Sequence, residues 1–565
     1  MSPSRGRAKS GSDPESLYQY SAQRWLWNES EQLRRRYIQF DVDALIHIAE
    51  EAAGRDAVCL NLSRLPEGNF NKVFLATMQD GKQLVVKIPN PNAGPAHYTT
   101  ASEVATMQFL QEKLHVPVPK ILAYCSRAGE SKLGAEYIVM EKAAGIELGR
   151  VWDDLKPNDK LAIVKQIAHI TCNLAQFRFP YYGALYRRND IEISESKVID
   201  DDFAVGPTVN RAWFDYGRGE VDVYRGPWSS AEDVLEALVQ REMACLKKFS
   251  TFPRDCQQGI FGGSGCYYPT HKAKLSVLQD FLKIHRYIVP QDKNISTGMI
   301  WHNDLHTENI FVDINNPSQI TNIIDWQCVP IYPMFLIAHH PSLIEYDGPR
   351  LDGFVKPELP KDFDSLDPDA KKSAKATYLA QLFWLTYEIQ VKKAVPELLQ
   401  AFRYRDTLPG QILGMISSTY GDGEPYVQSL LADISQEDTW KQVVGVNAAG
   451  DPSVPCPLHY SKEEISKQQM DYEKWQKDVE RKARVIAELG VYSGWNGAVP
   501  PDQYDEISRR LITSKQNFLL RESANDQEMA LWEKLWPFQD APLRQDSDVA
   551  GQSLLKRIFH SFLSK

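Results

Sequence analysis

The stretch that decides the fold is residues 299–327, MIWHNDLHTENIFVDINNPSQITNIIDWQ. It sets His302, Asp304, Asn309 and Asp325 in a fixed order between apolar runs that are typical of strands. A buried sheet does not need this set of polar residues, whereas phosphoryl transfer does. The five-residue step from Asp304 to Asn309 also equals the step from Asp to Asn in the loop H-R-D-x-x-x-x-N.

Each of these side chains is assigned a role by the chemistry. Transfer of a γ-phosphoryl group needs a carboxylate at the acceptor hydroxyl, oxygen ligands for magnesium and cationic donors on the phosphates. Asp304 is predicted to accept the hydroxyl proton or to orient the hydroxyl, and Asn309 and Asp325 are predicted to hold magnesium. His302 is predicted to brace the loop through a backbone carbonyl. Asp and Asn are common in turns, so no single one of these residues is evidence for the site. The prediction rests on the order of the whole set.

A second informative stretch is residues 63–89, SRLPEGNFNKVFLATMQDGKQLVVKIP. Two apolar runs flank Asp80-Gly81, which predicts a β-hairpin. The polar turn at residues 67–71 offers backbone N–H groups that phosphate oxygens need. Lys87 lies among apolar neighbours on the second strand. It either meets a counter-ion or phosphate, or points outward from an alternating strand.

The candidate counter-ion is Glu103, in a predicted helix over residues 98–115. Thr100 stands three residues before Glu103, which is a capping-box pattern. Glu103 therefore either turns back onto the start of its own helix or pairs with Lys87. Residues 141–145 then form a small polar joint after an apolar strand. This joint is either a hinge between lobes or an ordinary strand exit.

The remaining pattern is mostly helical, with two features that affect the architecture. Residues 371–402 predict one long helix. Residues 17–40 alternate aromatic and charged side chains, which predicts a helix with one packed aromatic face. The alternative is that Tyr20, Trp25, Trp27 and Tyr37 clamp an arm onto a lobe.

Length and composition bound the class of protein. With 565 residues the chain is too long for one ordinary core, and its 43% hydrophobic and 24% charged residues are typical of a globular protein. A net charge of −10 argues against broad nucleic-acid binding. No apolar run predicts a membrane span. The eight cysteines form no C-x-x-C pair, which favours free thiols.

Longer phrases carry a resemblance to a known family. Residues 301–310, WHNDLHTENI, and 323–326, IIDW, resemble the H-x-D-x-x-x-x-N and I-D-W motifs of aminoglycoside phosphotransferases and choline-kinase-like enzymes. Residues 69–75, NFNKVFL, residues 88–103, IPNPNAGPAHYTTASE, and residues 225–228, RGPW, resemble one branch, the altered-inheritance-of-mitochondria protein nine group. The resemblance extends over nearly the whole chain.

The resemblance implies an α+β fold of the two-lobed protein-kinase-like type, with ATP and Mg²⁺ as cofactors. It makes Asp304 the catalytic base beside His302, and Asn309 and Asp325 the metal ligands. A nucleotide contact is implied for Gly68, Asn69, Asn71, Val73, Lys87, Glu103, Met140, Glu141 and Ala143. Met140 lies behind the adenine in this scheme, with Glu141 and Ala143 as its backbone partners.

Two departures from the protein-kinase pattern shape the functional expectation. The phosphate loop has one glycine, Gly68, where protein kinases carry three, which lowers the expected nucleotide affinity. Asp-Phe-Gly is replaced by Asp325-Trp326-Gln327, so a small-molecule hydroxyl is the expected acceptor. The alternative is a catalytically weak kinase-like protein that acts as a mitochondrial maintenance or interaction factor.

The predicted organisation has four parts. They are an N-terminal arm at 1–40, a nucleotide-binding N-lobe at 41–141, a C-lobe at 142–450 and a helical extension at 451–565. Residues 1–12 carry basic residues and serines without an apolar face, a weak transit-peptide pattern. The resemblance implies a mitochondrial location, with the cytoplasm as the alternative. Neither the acceptor nor the oligomeric state follows from the sequence.

Overall fold

The structure, a computed structural model, describes residues 14–346, 348 and 353–540. The predicted transit-peptide pattern at residues 1–12 lies outside these residues. The described chain begins with three short elements, which are α1 (Pro14–Tyr18), β1 (Arg24–Trp25) and α2 (Glu29–Arg36). Helix α3 (Val42–Ala53) follows, with the Asp41 side chain capping its N-terminus.

A five-stranded antiparallel sheet is the centre of the first lobe. Its elements are β2 (Cys59–Arg64), β3 (Asn71–Met78), β4 (Gln83–Pro89), α4 (Tyr98–Lys113), β5 (Ile121–Cys125) and β6 (Tyr137–Glu141). The strands lie in the order β2-β3-β4-β6-β5. Buried side chains alternate along β3 and share a core with α3. The predicted small antiparallel lobe is confirmed.

The hairpin between β3 and β4 turns at Asp80 and Gly81, as predicted. Gly81 has a φ of +84°, a backbone conformation that glycine adopts without strain. The Asp80 carboxylate accepts a hydrogen bond of 2.9 Å from the backbone N–H of Lys82. This turn sets the register that places Val73 opposite Lys87.

The second lobe is largely helical and holds only short strands. It begins with β7 (Ile146–Glu147), α5 (Pro157–Gln176), β8 (Ala184–Arg187), β9 (Lys197–Val198), β10 (Phe203–Gly206), α6 (Ala231–Lys248) and α7 (His271–Ile288). It continues with β11 (Gly298–Ile300), β12 (Ile310–Val312), β13 (Ile320–Ile323), β14 (Ile331–Pro333) and α8 (Met334–Ile337). Strands β12 and β13 form from apolar runs within residues 299–327 and pair antiparallel, and β7 joins their sheet.

Further helices complete this lobe. They are α9 (Pro368–Ala394), α10 (Pro396–Asp406), α11 (Leu408–Met415), α12 (Glu424–Ile434) and α13 (Glu437–Val444). The prediction of one helix over residues 371–402 is wrong. Pro396 has no N–H to donate and disfavours helical geometry at Val395, so α9 ends and α10 begins there.

The C-terminal extension consists of α14 (Lys462–Leu489), β15 (Ala498–Val499), α15 (Tyr504–Glu522) and α16 (Asp526–Leu535). Strand β1 pairs with β15, and Trp27 packs edge-on against Trp495 with ring centroids 5.1 Å apart. The prediction of a single helix over residues 17–40 is wrong, because this range holds strand β1 and helix α2, and Trp25 and Trp27 contact the extension. None of the helices in the described ranges has the length and apolar character needed to cross a bilayer.

Candidate active site

Lys87 and Glu103 form a buried ion pair inside the first lobe. The Lys87 Nζ on β4 lies 2.6 Å from the Glu103 Oε1 on α4, and both side chains are almost completely buried. Helix α4 begins at Tyr98, so Thr100 already lies inside the helix and is not its cap. The structure thus decides both open alternatives: Lys87 points inward, and Glu103 pairs with it.

The same ammonium group reaches across to the second lobe. The Lys87 Nζ lies 3.6 Å from the Oδ1 of Asp325, which follows β13. Burial lowers the pKa of Lys87, but the carboxylates of Glu103 and Asp325 outweigh burial and raise that pKa. The side chain therefore stays charged at the boundary between the lobes.

Three predicted nucleotide contacts share one face of the first sheet. Val73 lies opposite Lys87 in the β3–β4 pair, and Met140 lies opposite Val85 in the β4–β6 pair. Val85 and Lys87 are two residues apart on one strand, so their side chains point to the same face. This face combines apolar groups with one cation, which suits a planar base carrying phosphates.

The joint after β6 is tied to the second lobe. The joint comprises residues 141–145 and includes Glu141 and Ala143. Within it, the N–H of Ala144 donates a hydrogen bond of 2.8 Å to the side-chain oxygen of Asn322 in the second lobe. Gly145 has a φ of +95°, and a Cβ there would lie 2.0 Å from a carbonyl oxygen of β12. Only glycine fits this close approach. The contacts favour the hinge interpretation over an ordinary strand exit.

His302 braces the catalytic loop through two backbone groups. Its Nε2 donates to the carbonyl of Ile324 at 2.9 Å, while its Nδ1 accepts from the N–H of Asp304 at 3.2 Å. The bond to Ile324 joins the loop to the end of β13, just before Asp325. The predicted brace through a backbone carbonyl is confirmed.

The neutral state of His302 makes stability depend on pH. Burial lowers the pKa of His302 below its ordinary value of about 6.5. The unfolded chain therefore binds the proton more readily, and stability is lost as pH falls below about 6.5. We expect the urea-unfolding free energy to drop more between pH 7.5 and pH 5.5 in the wild type than in His302→Gln, whose amide does not titrate. Equal losses in both proteins would contradict a buried neutral imidazole.

Asn309 and Asp325 each carry a side-chain oxygen that a cation could use. The carbonyl of Asn309 accepts from the N–H of Ile324 at 3.0 Å, so the two residues lie on neighbouring strand ends. The Asn309 amide nitrogen donates to the carbonyl of Asp304 at 2.9 Å, which leaves its amide oxygen for a cation. One carboxylate and one amide oxygen are hard donors that suit Mg²⁺ held jointly with phosphates.

The backbone at Asp325 is unusual for a residue with a side chain. Its φ is +63°, in the left-handed region that few residues other than glycine adopt. Such strain is concentrated at functional positions. Here the turn directs the chain away from β13 while Asp325 remains within reach of Lys87.

The Asp304 carboxylate is 72% exposed and accessible to an acceptor. A residue that the sequence analysis missed lies beside it: the His306 Nε2 is 3.5 Å from the Asp304 Oδ2. The His306 Nδ1 accepts from the N–H of Glu308, and its Nε2 also lies 3.2 Å from the amide nitrogen of Asn309. The second histidine in W-H-N-D-L-H was the available signal.

A second missed residue joins the two lobes. The Gln327 side chain accepts from the Asn71 amide at 2.9 Å and donates back to it at 3.3 Å. Asn71 begins β3 at the end of the phosphate loop, which we define as residues 65–70. Gly68 and Asn69 lie exposed in that loop. Sequence reasoning had no signal for a pairing across 256 positions.

Part of the chain that contributes to this site also matches a family of known proteins. Residues 61–248, which include Lys87, Glu103 and Met140, match the profile described as "Phosphotransferase enzyme family". The chain is similar to the phosphotransferase enzyme family. The matched range ends before Asp304, so the predicted role of the loop at residues 302–309 rests on its own motif and geometry.

Curated relatives extend the similarity beyond the part that matches the phosphotransferase family. A "Subtelomeric hrmA-associated cluster protein" of Aspergillus fumigatus is 28% identical over 527 residues, which cover 87% of this chain and 99% of the relative. "Altered inheritance of mitochondria protein 9, mitochondrial" of Yarrowia lipolytica is 22% identical over 525 residues, with 87% and 86% covered. The resemblance to this group is confirmed.

Among solved structures, ADP-bound aminoglycoside phosphotransferase APH(2'')-Ib is 14% identical, covering 78% of this chain and 98% of that one, at a TM-score of 0.34.

A cavity of about 580 Å³ borders the start of α6. Its walls include Tyr224, Trp228, Asp233 and Glu236. None of the residues that line it belongs to the set predicted from the phosphotransferase motifs. The cavity is therefore no part of the candidate active site.

Proposed function

We propose that the protein is a phosphotransferase that moves the γ-phosphoryl group of ATP to a hydroxyl of a small molecule. The observation that carries this proposal is the position of Lys87, 2.6 Å from Glu103 and 3.6 Å from Asp325. One cation held between two lobes, next to a carboxylate at a strand end, is the arrangement that nucleotide phosphates and their metal ion require.

The side chains have separate roles in this proposal. Lys87, fixed by Glu103, binds nucleotide phosphate oxygens, while Val73 and Met140 contact the base. Asp304 orients the acceptor hydroxyl and accepts its proton, and His302 holds the loop in place. Asn309 and Asp325 hold Mg²⁺, which when bound neutralises charge on the phosphates. Gly68, Asn69 and Asn71 border the phosphates, with Glu141 and Ala143 beside the base.

The proposed acceptor class, a small molecule, is supported by the residues that replace the protein-kinase segment. Asp325-Trp326-Gln327 stands at the position of Asp-Phe-Gly, and Gln327 bonds to Asn71 of the first lobe. The contact with Asn71 supports the proposal that this segment lines the cleft. A mitochondrial location is proposed from the names of relatives, and cell fractionation would test it.

A nucleotide titration tests the proposal. At a hundredfold excess over Kd, a ligand that binds only the folded state stabilises it by about 2.7 kcal/mol. We expect ATP with Mg²⁺ to raise the melting temperature of the wild type, and Asp325→Asn to lose the magnesium-dependent part. Asparagine tolerates the left-handed backbone at this position, so the change removes charge without added strain. Asp154→Asn, at an exposed position, is the matched control and should behave as wild type.

The same titration addresses the alternative, a kinase-like protein without turnover that serves mitochondrial maintenance. The single glycine of the phosphate loop is the observation that favours it. Stabilisation by nucleotide without product in an assay over pooled metabolites would support this alternative. Absence of stabilisation by either ATP or GTP would contradict the phosphotransferase proposal.

A further inference from the structure

The shape of the phosphate loop does not depend on its glycine. Gly68 lies outside the positive-φ region, and a Cβ added to it would meet no atom within 4 Å. In a loop that relies on glycine, a side chain would clash or the backbone would need a conformation that other residues avoid. Some other group must therefore hold residues 65–70 in place.

Side chains from other segments of both lobes and of the arm hold the loop in place. Most of these contacts are made to Asn69. Its backbone carbonyl accepts hydrogen bonds from the side-chain amides of Asn90 and Asn92 at 3.3 and 3.4 Å. Its side-chain oxygen accepts from the guanidinium of Arg36 at 3.2 Å. The second lobe contributes Arg211, which donates to the Asn92 carbonyl at 2.7 Å.

Arg211 also contacts the end of the loop directly. Its guanidinium carbon lies 4.0 Å from the ring centroid of Phe70, a cation–π contact. The adjacent Asp215 carboxylate accepts from the same guanidinium at 2.6 Å and fixes its orientation. The loop is thus restrained from the arm side by Arg36 and from the second lobe by Arg211.

A buried ion pair anchors the base of the loop to the N-terminal arm. The Lys72 Nζ lies 2.8 Å from Glu67 and donates to the carbonyl of Gln19 at 3.0 Å. The Glu67 carboxylate also accepts from the backbone N–H of Ser21 at 3.2 Å. Since both charged side chains are buried, the arm is part of the environment that keeps this pair satisfied.

The arm in turn is held by the C-terminal extension. Arg36 lies 4.4 Å from the ring of Trp25, which is fully buried in β1. Strand β1 pairs with β15, and Arg24 lies over the ring of Tyr504 at 3.6 Å. Contacts therefore run without a break from the extension, through the arm, to the phosphate loop.

We infer that Arg36 and Arg211 are positioning residues for nucleotide binding, which hold the phosphate loop in the shape that glycines provide elsewhere. The arm and the extension are thereby structural parts of the nucleotide site. This inference rests on the proposed function for its effect on affinity, but the restraint of the loop is measurable without any nucleotide.

The test compares Arg36→Met and Arg211→Met with the control Arg34→Met. Methionine keeps the apolar stem of each arginine, and Arg34 lies on the same helix as Arg36 with its side chain 74% exposed. Hydrogen exchange without nucleotide should become faster at residues 65–72 in both test variants, while β4 and α3 keep their protection. The Kd for ATP with Mg²⁺ should rise by about tenfold, the effect of losing one charged hydrogen bond. Arg34→Met should match the wild type in both measurements.

The two measurements separate the possible failures. Unchanged exchange at residues 65–72 in both variants would overturn the restraint itself. Faster exchange with an unchanged Kd would overturn the role in nucleotide binding. If the wild type binds no nucleotide, the proposed function fails, and the exchange rates still decide whether the two arginines hold the loop.

Discussion

Asp304→Asn is expected to lower phosphoryl transfer by about 10²–10⁴-fold, the usual contribution of a positioned general base. The amide cannot accept the hydroxyl proton, although it has nearly the same shape as the carboxylate. The side chain is 72% exposed, so the melting temperature should stay close to that of the wild type. Nucleotide binding should persist, because Lys87 and Asp325 are untouched.

The measurement uses ATP labelled at the γ-phosphate and a pool of small metabolites as acceptors. Labelled products are separated and compared among the wild type, Asp304→Asn and Glu308→Gln. Glu308 is an exposed carboxylate in the same loop, so its variant is the matched control for the loss of one charge. Retained turnover in Asp304→Asn, at the level of Glu308→Gln, would show that another group is the base.

Glu103→Leu is expected to destabilise the protein by about 3–5 kcal/mol. The change leaves the Lys87 ammonium buried without its nearest counter-ion, and removing one partner of a buried pair is costly. Asp325 at 3.6 Å offers partial compensation, which favours the lower end of this range. Urea unfolding of the nucleotide-free protein measures the effect.

The double variant Lys87→Met with Glu103→Leu separates stability from function. Apolar side chains in place of both charges should recover most of the lost stability, because no uncompensated charge remains. Stabilisation by nucleotide should be lost in the double variant, since the cation that binds the phosphates is gone. A double variant that still binds ATP as tightly as the wild type would remove Lys87 from the proposed site.

Much of the site could be predicted because its parts are close in sequence. His302, Asp304 and Asn309 occupy one loop, and their spacing limits how far apart their side chains can lie. Asp80-Gly81 likewise predicted the hairpin that carries Lys87, because turn chemistry acts over a few residues. Helix ends were harder to predict: Pro396 lies within a helical pattern that continues on both sides, and the pattern alone does not show that α9 ends before it.

Contacts between segments that are distant in sequence could not be predicted from local sequence patterns. Glu103 had two plausible partners, and only the start of α4 at Tyr98 excluded the capping box. The aromatic arm was predicted as a helix because a periodic pattern does not reveal which distant surface will cover it. The pairs of Asn71 with Gln327 and of Arg36 with Asn69 have no signature in the sequence.

The sequence by itself determined the α+β class, the hairpin, the loop that holds His302, Asp304 and Asn309, and the resemblance to phosphotransferases. Residues 299–327 were sufficient for the loop, since backbone connectivity keeps its polar groups together. Only the tertiary structure decided that Lys87 meets both Glu103 and Asp325, and that the phosphate loop is held by arginines from the arm and the second lobe. Such contacts depend on how separately folded elements pack, and burial selects among charge partners that the sequence leaves equivalent.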